Sequence, residues 1–313
     1  MELHQAKGYI LEDVIQGLLK ESGYFQVESG FVRGRGARHQ IDAYGVLSIP
    51  TAFIYPIRLF SEAKYYDHEV GLPTIRNFVG VIKDISENYF VTSKKEYSSP
   101  FRYTDAGCIF SASMFTDNAQ KYAWAHNIFL FSFSDLPLMD GIINSINSYV
   151  ATFSKDFLEN YKNDKTNRKK LKASFIRYTK TLKNFEYPTM VVGILDNIYP
   201  VLLIGSKGWI NRIKPPETTD KLDAEKQFRV DILSKENNPE EHIFKIVIKD
   251  GQEETIFFSI PNFAAKKVLD RIDNRKKIIA DLQIPFLDRT AGKQVRRIIS
   301  LDIKMKLHVG INQ

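Results

Sequence analysis

Hydrophobic positions in the first third of the chain follow two different spacings. Apolar residues between Ile10 and Leu19 recur at helical spacing, and Gly23 lies just beyond them as a stop signal. Residues 53–66 instead alternate apolar and polar side chains, as a strand does, and Pro56 marks either the start of pairing or an edge position. These spacings predict helices over 10–19, 74–89 and 117–126 and strands over 24–29, 41–47, 53–66, 107–113 and 127–133. This order predicts an α/β sandwich with a mixed sheet.

The pattern changes in the second half of the chain. Residues 136–186 have helical spacing, and their polar, basic middle predicts a domain boundary or hinge near 160–172. Beyond residue 187, short β-type runs are separated by turn residues, with one helix predicted from Phe263 to Gln283 and a last strand over 296–305. The chain is thus predicted to comprise an α/β domain, a basic helical linker and an α+β domain that serves targeting, assembly or regulation, with the bounds 1–153, 154–186 and 187–313.

Composition narrows the class of protein. The chain of 313 residues is 43% hydrophobic and 26% charged, which is typical of a globular protein. No apolar run reaches the roughly 18 residues of a membrane span, and the N-terminus lacks a signal-peptide pattern. Cys108 is the one cysteine, which excludes an internal disulfide and predicts a buried apolar residue. We therefore expect a cytoplasmic protein with no membrane association.

The net charge of +7 is unevenly distributed. Residues 155–183 carry ten basic and three acidic side chains, whereas residues 1–154 are slightly acidic. The basic segment could be a DNA-contacting helix or a solvated linker, and the sequence favours neither. An acidic first domain that handles a polyanion would need a bound cation.

Three residues on two predicted strands form the candidate chemical site. Glu62 and Lys64 are two positions apart on one strand, so their side chains project to the same side, about 6–7 Å apart along it. If the preceding strand is an antiparallel neighbour, Asp42 can lie opposite them. Two carboxylates suit Mg²⁺, and an ammonium can hold a water or stabilise charge on a phosphate. The spacing alone would also fit exposed charges at a strand edge.

Glu12 lies on the first predicted helix, at the border of its apolar stripe. It is either a solvated flank beside Asp13 or a third carboxylate that faces the site. The six histidines of the chain show no HxxxH spacing, which argues against a zinc site.

These segments resemble the PD-(D/E)xK restriction-endonuclease-like superfamily, and especially its Mrr-type branch. The resemblance spans roughly residues 5–135 and is carried by GYILEDVIQGLLKESGYFQVE, GRGARHQIDAYG, RLFSEAKYY and DAGCIFSASMFTDNAQKYAWAHNIFLF. It implies a restriction-endonuclease-like α/β/α fold with a mixed central sheet. No match suggests itself for residues 187–313.

The resemblance also implies a chemistry. Asp42 and Glu62 would be metal ligands, Lys64 the catalytic lysine and Glu12 a helix carboxylate near the metal, giving endonucleolytic hydrolysis of DNA with Mg²⁺, for which Mn²⁺ could substitute. Two features depart from the family pattern. The Gln on the helix after ExK has no counterpart near Arg76 or Asn77, and no Pro precedes Asp42.

The glycine-rich segment GRGAR does not match a phosphate-binding NTPase loop. It predicts a turn at the entry to a hairpin, with Arg33, Arg35 and Arg38 available to backbone phosphates. His39 and Gln40 would line the entrance of the site in the resemblance. His39 itself fits a loop hydrogen-bonder better than a general base.

Two functional hypotheses follow. The first is a Mg²⁺-dependent endonuclease of restriction or anti-phage defence, acting on DNA as a homodimer or in a larger assembly, with an ATPase or helicase as a candidate partner. The second is a catalytically silent nucleic-acid-binding or scaffold protein that retains the fold. The completeness of Asp42, Glu62 and Lys64 favours the first.

Overall fold

The computed structural model describes most of the chain, in two compact units. The described residues are 3–47, 53–88, 102–134, 136–153, 165–182, 185–213, 222–235, 238–250, 252–275, 278–288 and 293–303. The N-terminal unit runs to Glu186, and the C-terminal unit begins at Tyr187. None of the described helices is both long enough and apolar enough to cross a membrane.

The described elements of the N-terminal unit follow the predicted order. They are α1 (Leu3–Glu21), β1 (Phe25–Arg33), β2 (Arg38–Leu47), β3 (Ile57–Lys64), α2 (Leu72–Ser86), β4 (Thr104–Ser111), α3 (Asp117–Ala125), β5 (Ile128–Ser132), α4 (Pro137–Ala151) and α5 (Lys165–Thr179). Gly23 ends the first helix with φ of 89°, a conformation that glycine adopts without steric cost. The predicted helix, with its stop at Gly23, is confirmed.

The five described strands of this unit form one sheet in the order β1-β2-β3-β4-β5. Strands β1 to β3 pair antiparallel, whereas β3, β4 and β5 pair parallel. The predicted mixed sheet is therefore confirmed. Because β3 lies between β2 and β4, Pro56 marks the start of pairing and not an edge strand. Its carbonyl accepts a hydrogen bond from the amide of Thr104 at 2.9 Å.

Helices cover the sheet. Helix α1 contacts β2 and β3 and also packs against α4 and α5, and its predicted apolar stripe is fully buried. Helices α2 and α3 share a second hydrophobic cluster with strands β3 and β4, in which Phe60, Phe78 and Ile109 are buried. Cys108 on β4 is buried, as predicted. The α1 packing is what brings its charged border, including Glu12, to the sheet.

The predicted linker over 154–186 differs from the structure where it is described. Helix α5 belongs to the N-terminal unit, with Leu171 and Phe175 buried. The rings of Phe175 and Tyr178 contact Tyr149 of α4, with centroids 5.3 and 5.1 Å apart. Residues 165–172 of the predicted hinge thus lie in helix α5, which packs through three apolar residues at helical spacing in spite of the polar composition around them. Residues 154–164 lie outside the described part of the chain.

The described part of the C-terminal unit is a barrel with one α-helix. Its described elements are β6 (Thr189–Leu195), β7 (Tyr199–Gly205), a 3-10 turn (Trp209–Asn211), β8 (Leu222–Lys235), β9 (Asn238–Asp250), β10 (Gln252–Ser259), α6 (Asn262–Arg275), β11 (Ile278–Asp288) and β12 (Lys293–Ile303). The strands close in the order β10-β7-β6-β11-β12-β8-β9, with β9 paired to β10. Strands and a helix were predicted here, but ring closure was not.

The predicted helix from Phe263 to Gln283 is wrong in its last third. Helix α6 ends at Arg275, and the residues from Ile278 onward form β11, which pairs antiparallel with β12 along its whole length. Ala280, Leu282 and Ile284 are buried at every second position, which is strand periodicity. A short apolar run fits either a helix or a strand, and the pairing with β12 makes these residues a strand.

Candidate active site

Asp42 lies on β2 next to the strand that carries the other candidate residues. Its Oδ2 accepts a hydrogen bond from the backbone amide of Ala63 at 2.9 Å, which orients the carboxylate toward β3. Burial, then the negative charges of Glu62 and Glu12, raise the pKa of Asp42 to about 7, against the opposing effects of the Ala63 amide and Lys64. The charges of Glu62 and Glu12 therefore both act on the Asp42 carboxylate.

Glu62 and Lys64 meet on the same side of β3, as strand alternation predicts. The Lys64 ammonium donates to Glu62 Oε1 at 2.6 Å, and the two side chains are 25% and 20% exposed for Glu62 and Lys64 respectively. Burial works against the charged form of Lys64, but the charge and hydrogen bond of Glu62 outweigh it, so the pKa of Lys64 lies above its usual value. Lys64 is therefore a permanent cation beside two carboxylates.

Glu12 lies on α1, within electrostatic reach of Asp42. Its charge is the third cause of the raised pKa of Asp42, after burial and the charge of Glu62. Its Oε2 accepts a hydrogen bond from the ammonium of Lys172 at 2.9 Å. Lys172 comes from α5 and was not predicted to be a site residue.

The donor set has the chemistry that Mg²⁺ requires. Asp42 and Glu62 offer carboxylate oxygens. Burial, and after it the charges of Glu62 and Glu12, raise the pKa of Asp42, and a bound cation would offset this charge repulsion. Among the described residues, no three His, Cys, Asp or Glu side chains are grouped so as to hold a metal ion. Mg²⁺ is commonly held by one or two carboxylates and several waters, and Asp42 with Glu62 is the pair that could hold it here.

The glycine-rich turn is occupied by the protein's own carboxylate. Asp84 of α2 accepts hydrogen bonds from the amides of Gly36 and Ala37 at 2.8 and 3.2 Å. A side chain at Gly34 would place its Cβ 2.0 Å from Asp84 Oδ2, which explains the glycine there. His39 Nε2 lies 2.7 Å from the same oxygen. The histidine therefore serves as the loop hydrogen-bonder, in agreement with the expectation from sequence.

The remaining predicted nucleic-acid-binding residues lie along this hairpin. Arg33 and Arg38 are paired across β1 and β2 beside the turn, and both are exposed. Arg35 is exposed in the turn, with its guanidinium 3.7 Å from Glu87. Gln40 is exposed on β2, two residues before Asp42. The structure thus places basic side chains on the strand pair that leads into the site.

The helix after the ExK strand carries no glutamine at the family position. Arg76 and Asn77 of α2 are both exposed, and the guanidinium of Arg76 lies over the ring of Tyr122, 5.7 Å from its centroid. Arg76 therefore stacks on Tyr122 of α3.

One comparison with known protein families gives a match in the N-terminal part of the chain. Residues 3–139 match the Mrr_cat family, described as "Restriction endonuclease". The N-terminal domain belongs to this family. The match ends within α4, so the Mrr-type domain comprises the mixed sheet and the helices around it, whereas α5 and the barrel lie outside it.

Two further comparisons add no functional information. No curated protein matches the chain. One solved structure, described as a protein of unknown function, is 15% identical, with a TM-score of 0.31, and the match covers 54% of this chain and 96% of that one. A TM-score this low carries no structural argument.

Sequence reasoning missed two features of the site. The Ala63 amide is invisible in a motif because any residue supplies one. Lys172 is one of ten basic residues in a 29-residue segment, 155–183, and nothing local distinguishes it from the others. The helical spacing of Leu171 and Phe175 is the signal that could have indicated a packed helix, and hence a fixed lysine beside them.

Proposed function

We propose that the Mrr-type domain is a Mg²⁺-dependent endonuclease that hydrolyses phosphodiester bonds of DNA. The observation that carries this proposal is that Asp42 accepts from the Ala63 amide, beside Glu62 and Lys64, whose side chains form an ion pair. Membership of a restriction-endonuclease family supports the same reaction class.

Asp42 and Glu62 would hold the cation, with Glu12 as a third carboxylate close by. When bound, Mg²⁺ or Mn²⁺ would neutralise the phosphate and lower the pKa of a bound water. The Ala63 amide donates to Asp42 Oδ2 and so orients the carboxylate that would bind the cation. The residues thus supply oriented oxygen ligands at the end of a rigid strand pair.

Lys64 supplies the positive charge of the reaction. Glu62 keeps it protonated and holds its ammonium on the side of β3 where the carboxylates meet. There it can stabilise negative charge that develops on the phosphate or hold the attacking water. Because the group is already in place, little reorganisation is needed when the charge forms.

Arg33, Arg35, Arg38, His39 and Gln40 are proposed to bind the DNA strand that enters the site. Exposed guanidinium groups on one hairpin suit phosphates, which they contact without reading sequence. His39 would act indirectly, because it contacts Asp84, the residue that binds the amides of the turn. Gln40 would contact the DNA through its exposed side chain.

Replacing Arg38 by glutamine is expected to weaken DNA binding about three- to tenfold at low salt and to reduce the slope of log affinity against log salt by about one. The measurement is fluorescence anisotropy with a short duplex across a salt series, in Ca²⁺ to prevent cleavage. Lys121→Gln, an exposed change on α3, is the matched control. An Arg38 variant with the wild-type slope would remove this residue from the proposed interface.

A role in restriction or anti-phage defence is proposed from the family alone. The C-terminal barrel would then serve targeting, assembly or regulation, and a homodimer or a complex with an ATPase or helicase would present the site to duplex DNA. The rival function is a silent nucleic-acid-binding or scaffold protein.

The deciding experiment is incubation of supercoiled plasmid with the full chain in Mg²⁺, Mn²⁺ or EDTA. We expect cleavage only with metal and a loss of at least about a hundredfold in Asp42→Ala, because the ligand oxygens are removed. Gln120→Ala on α3 serves as a control for preparation and folding. Full activity of Asp42→Ala would overturn the site assignment, and failure of the wild type to cut any duplex or single strand would favour the rival.

A further inference from the structure

Helix α5 is anchored so that one of its lysines points into the candidate site. Leu171 and Phe175 are 2% and 0% exposed, and they bury one face of the helix against the Mrr-type domain. Lys172 follows Leu171 directly, so its backbone is held by that packing. The helix lies outside residues 3–139, so the family match does not account for this lysine.

The contact of Lys172 is specific and partly shielded from water. Its ammonium donates to Glu12 Oε2 at 2.9 Å, with side chains 18% and 16% exposed for Lys172 and Glu12 respectively. Its charge also reaches Asp13: burial raises the pKa of that carboxyl, and Lys172 and Lys20 oppose the rise. Glu12 in turn acts on Asp42 through its charge. Lys172 is thus connected to the cluster of carboxylates through a direct ion pair.

We propose that Lys172 is a positioning residue of the active site, a built-in counter-cation that holds the Glu12 carboxylate and sets how tightly the site binds a divalent metal. This inference rests on the proposed function, since it assigns Glu12 to the metal environment. A lysine that neutralises Glu12 reduces the negative charge presented to a metal, and a metal that uses Glu12 must share or displace the lysine. Like charges a few ångströms apart in a partly buried site repel appreciably.

The test is metal binding without DNA or catalysis. The full chain, stripped with EDTA and dialysed, is titrated with Mn²⁺ by isothermal calorimetry. Lys172→Met and Lys172→Gln remove the ammonium and keep most of the aliphatic stem, whereas Lys172→Arg keeps the charge. Lys170→Met is the matched control, because Lys170 is exposed on the same helix.

We expect the Kd for Mn²⁺ to fall about three- to tenfold in Lys172→Met and Lys172→Gln, and to stay at the wild-type value in Lys172→Arg and Lys170→Met. A purely structural lysine would not tighten metal binding when removed. In a Glu12→Gln background the gain should shrink, because the carboxylate that Lys172 neutralises is no longer charged. Thermal melting of each variant checks that the fold is retained.

Several outcomes would overturn the inference. One is a Kd for Mn²⁺ that is unchanged or higher in both Lys172→Met and Lys172→Gln. Another is a fall in Kd that Lys170→Met shows equally, and a third is a fall in Kd that is just as large in the Glu12→Gln background. Asp42→Asn separates this result from the broader proposal. Mn²⁺ binding that requires Asp42 but ignores Lys172 removes only the role of the lysine. No Mn²⁺ binding by the wild type, or equal binding by Asp42→Asn, removes the proposed metal-dependent nuclease site as well.

Discussion

Replacing Lys64 by methionine is expected to slow Mg²⁺-dependent plasmid cleavage by about a hundred- to a thousandfold while leaving metal binding in place. The ammonium is held 2.6 Å from Glu62 Oε1, so its charge is fixed beside the carboxylates that would carry the metal. Methionine keeps most of the length of the side chain but supplies no charge for the phosphate. The loss should therefore fall on kcat more than on KM.

The control for this variant is Lys121→Met, an exposed lysine on α3 that should cut at the wild-type rate. Calorimetric Mn²⁺ titration should show that Lys64→Met still binds metal, with equal or higher affinity, because a nearby positive charge is lost. Cleavage within a factor of about three of the wild type would contradict a catalytic role for Lys64.

Replacing Asp42 by asparagine is expected to stabilise the metal-free protein at pH 8 even though it abolishes cleavage. Burial and the charges of Glu62 and Glu12 raise the pKa of Asp42 from 3.8 to about 7, so its ionised form is disfavoured in the fold. A shift of about three pKa units corresponds to at most about 4 kcal/mol in the free energy of unfolding, and about 2–4 kcal/mol is expected. Asparagine keeps a carbonyl oxygen that can accept from the Ala63 amide.

The sign of this effect depends on pH. Below the unfolded pKa of 3.8, Asp42 is protonated in both states, so it contributes no difference. Between pH 4 and pH 7 the unfolded chain releases this proton first, so the wild type loses stability as pH rises, and above about 7 the loss is complete. The advantage of Asp42→Asn should therefore be small at pH 4 and largest above pH 7.

Urea unfolding in EDTA at pH 4.5, 6 and 8, followed by circular dichroism, measures this difference. Added Mn²⁺ should reverse it, because the metal stabilises the wild type and not the variant. Ser113→Ala, a change near the end of β4, controls for non-specific effects of polar substitution. A variant less stable than the wild type at pH 8 in EDTA would show that burial and the neighbouring charges do not disfavour the ionised form of Asp42.

Local periodicity was sufficient for most of the N-terminal fold. The stripe of apolar residues on α1 and the alternation on β3 each point to one element, because each is long enough to separate a period of 3.6 from a period of 2. The predictions failed where the apolar run is short or where a few apolar residues lie among many charged ones. Residues 278–284 carry apolar positions compatible with either element, and their pairing with β12 decided for the strand. Basic composition concealed the packed face of α5.

Some residues of the candidate site could likewise be predicted from the sequence, whereas another could not. Asp42, Glu62 and Lys64 could be named from the sequence because they lie on adjacent strands, where register relates sequence spacing directly to distance. The resemblance to the Mrr-type branch added Glu12, and the match over residues 3–139 bears out that resemblance. Neither source could indicate Lys172, which is 160 positions away from its partner.

The sequence by itself determined the two periodicities, the strand-borne trio of Asp42, Glu62 and Lys64, and the family of the first domain. These are properties of neighbouring residues or of patterns along the chain. Only the tertiary structure decided the closure of the barrel, the filling of the glycine turn by Asp84 and the pairing of Lys172 with Glu12. Those features depend on contacts between distant segments, whose free energy comes from burial and charge in the folded state and has no counterpart in local spacing.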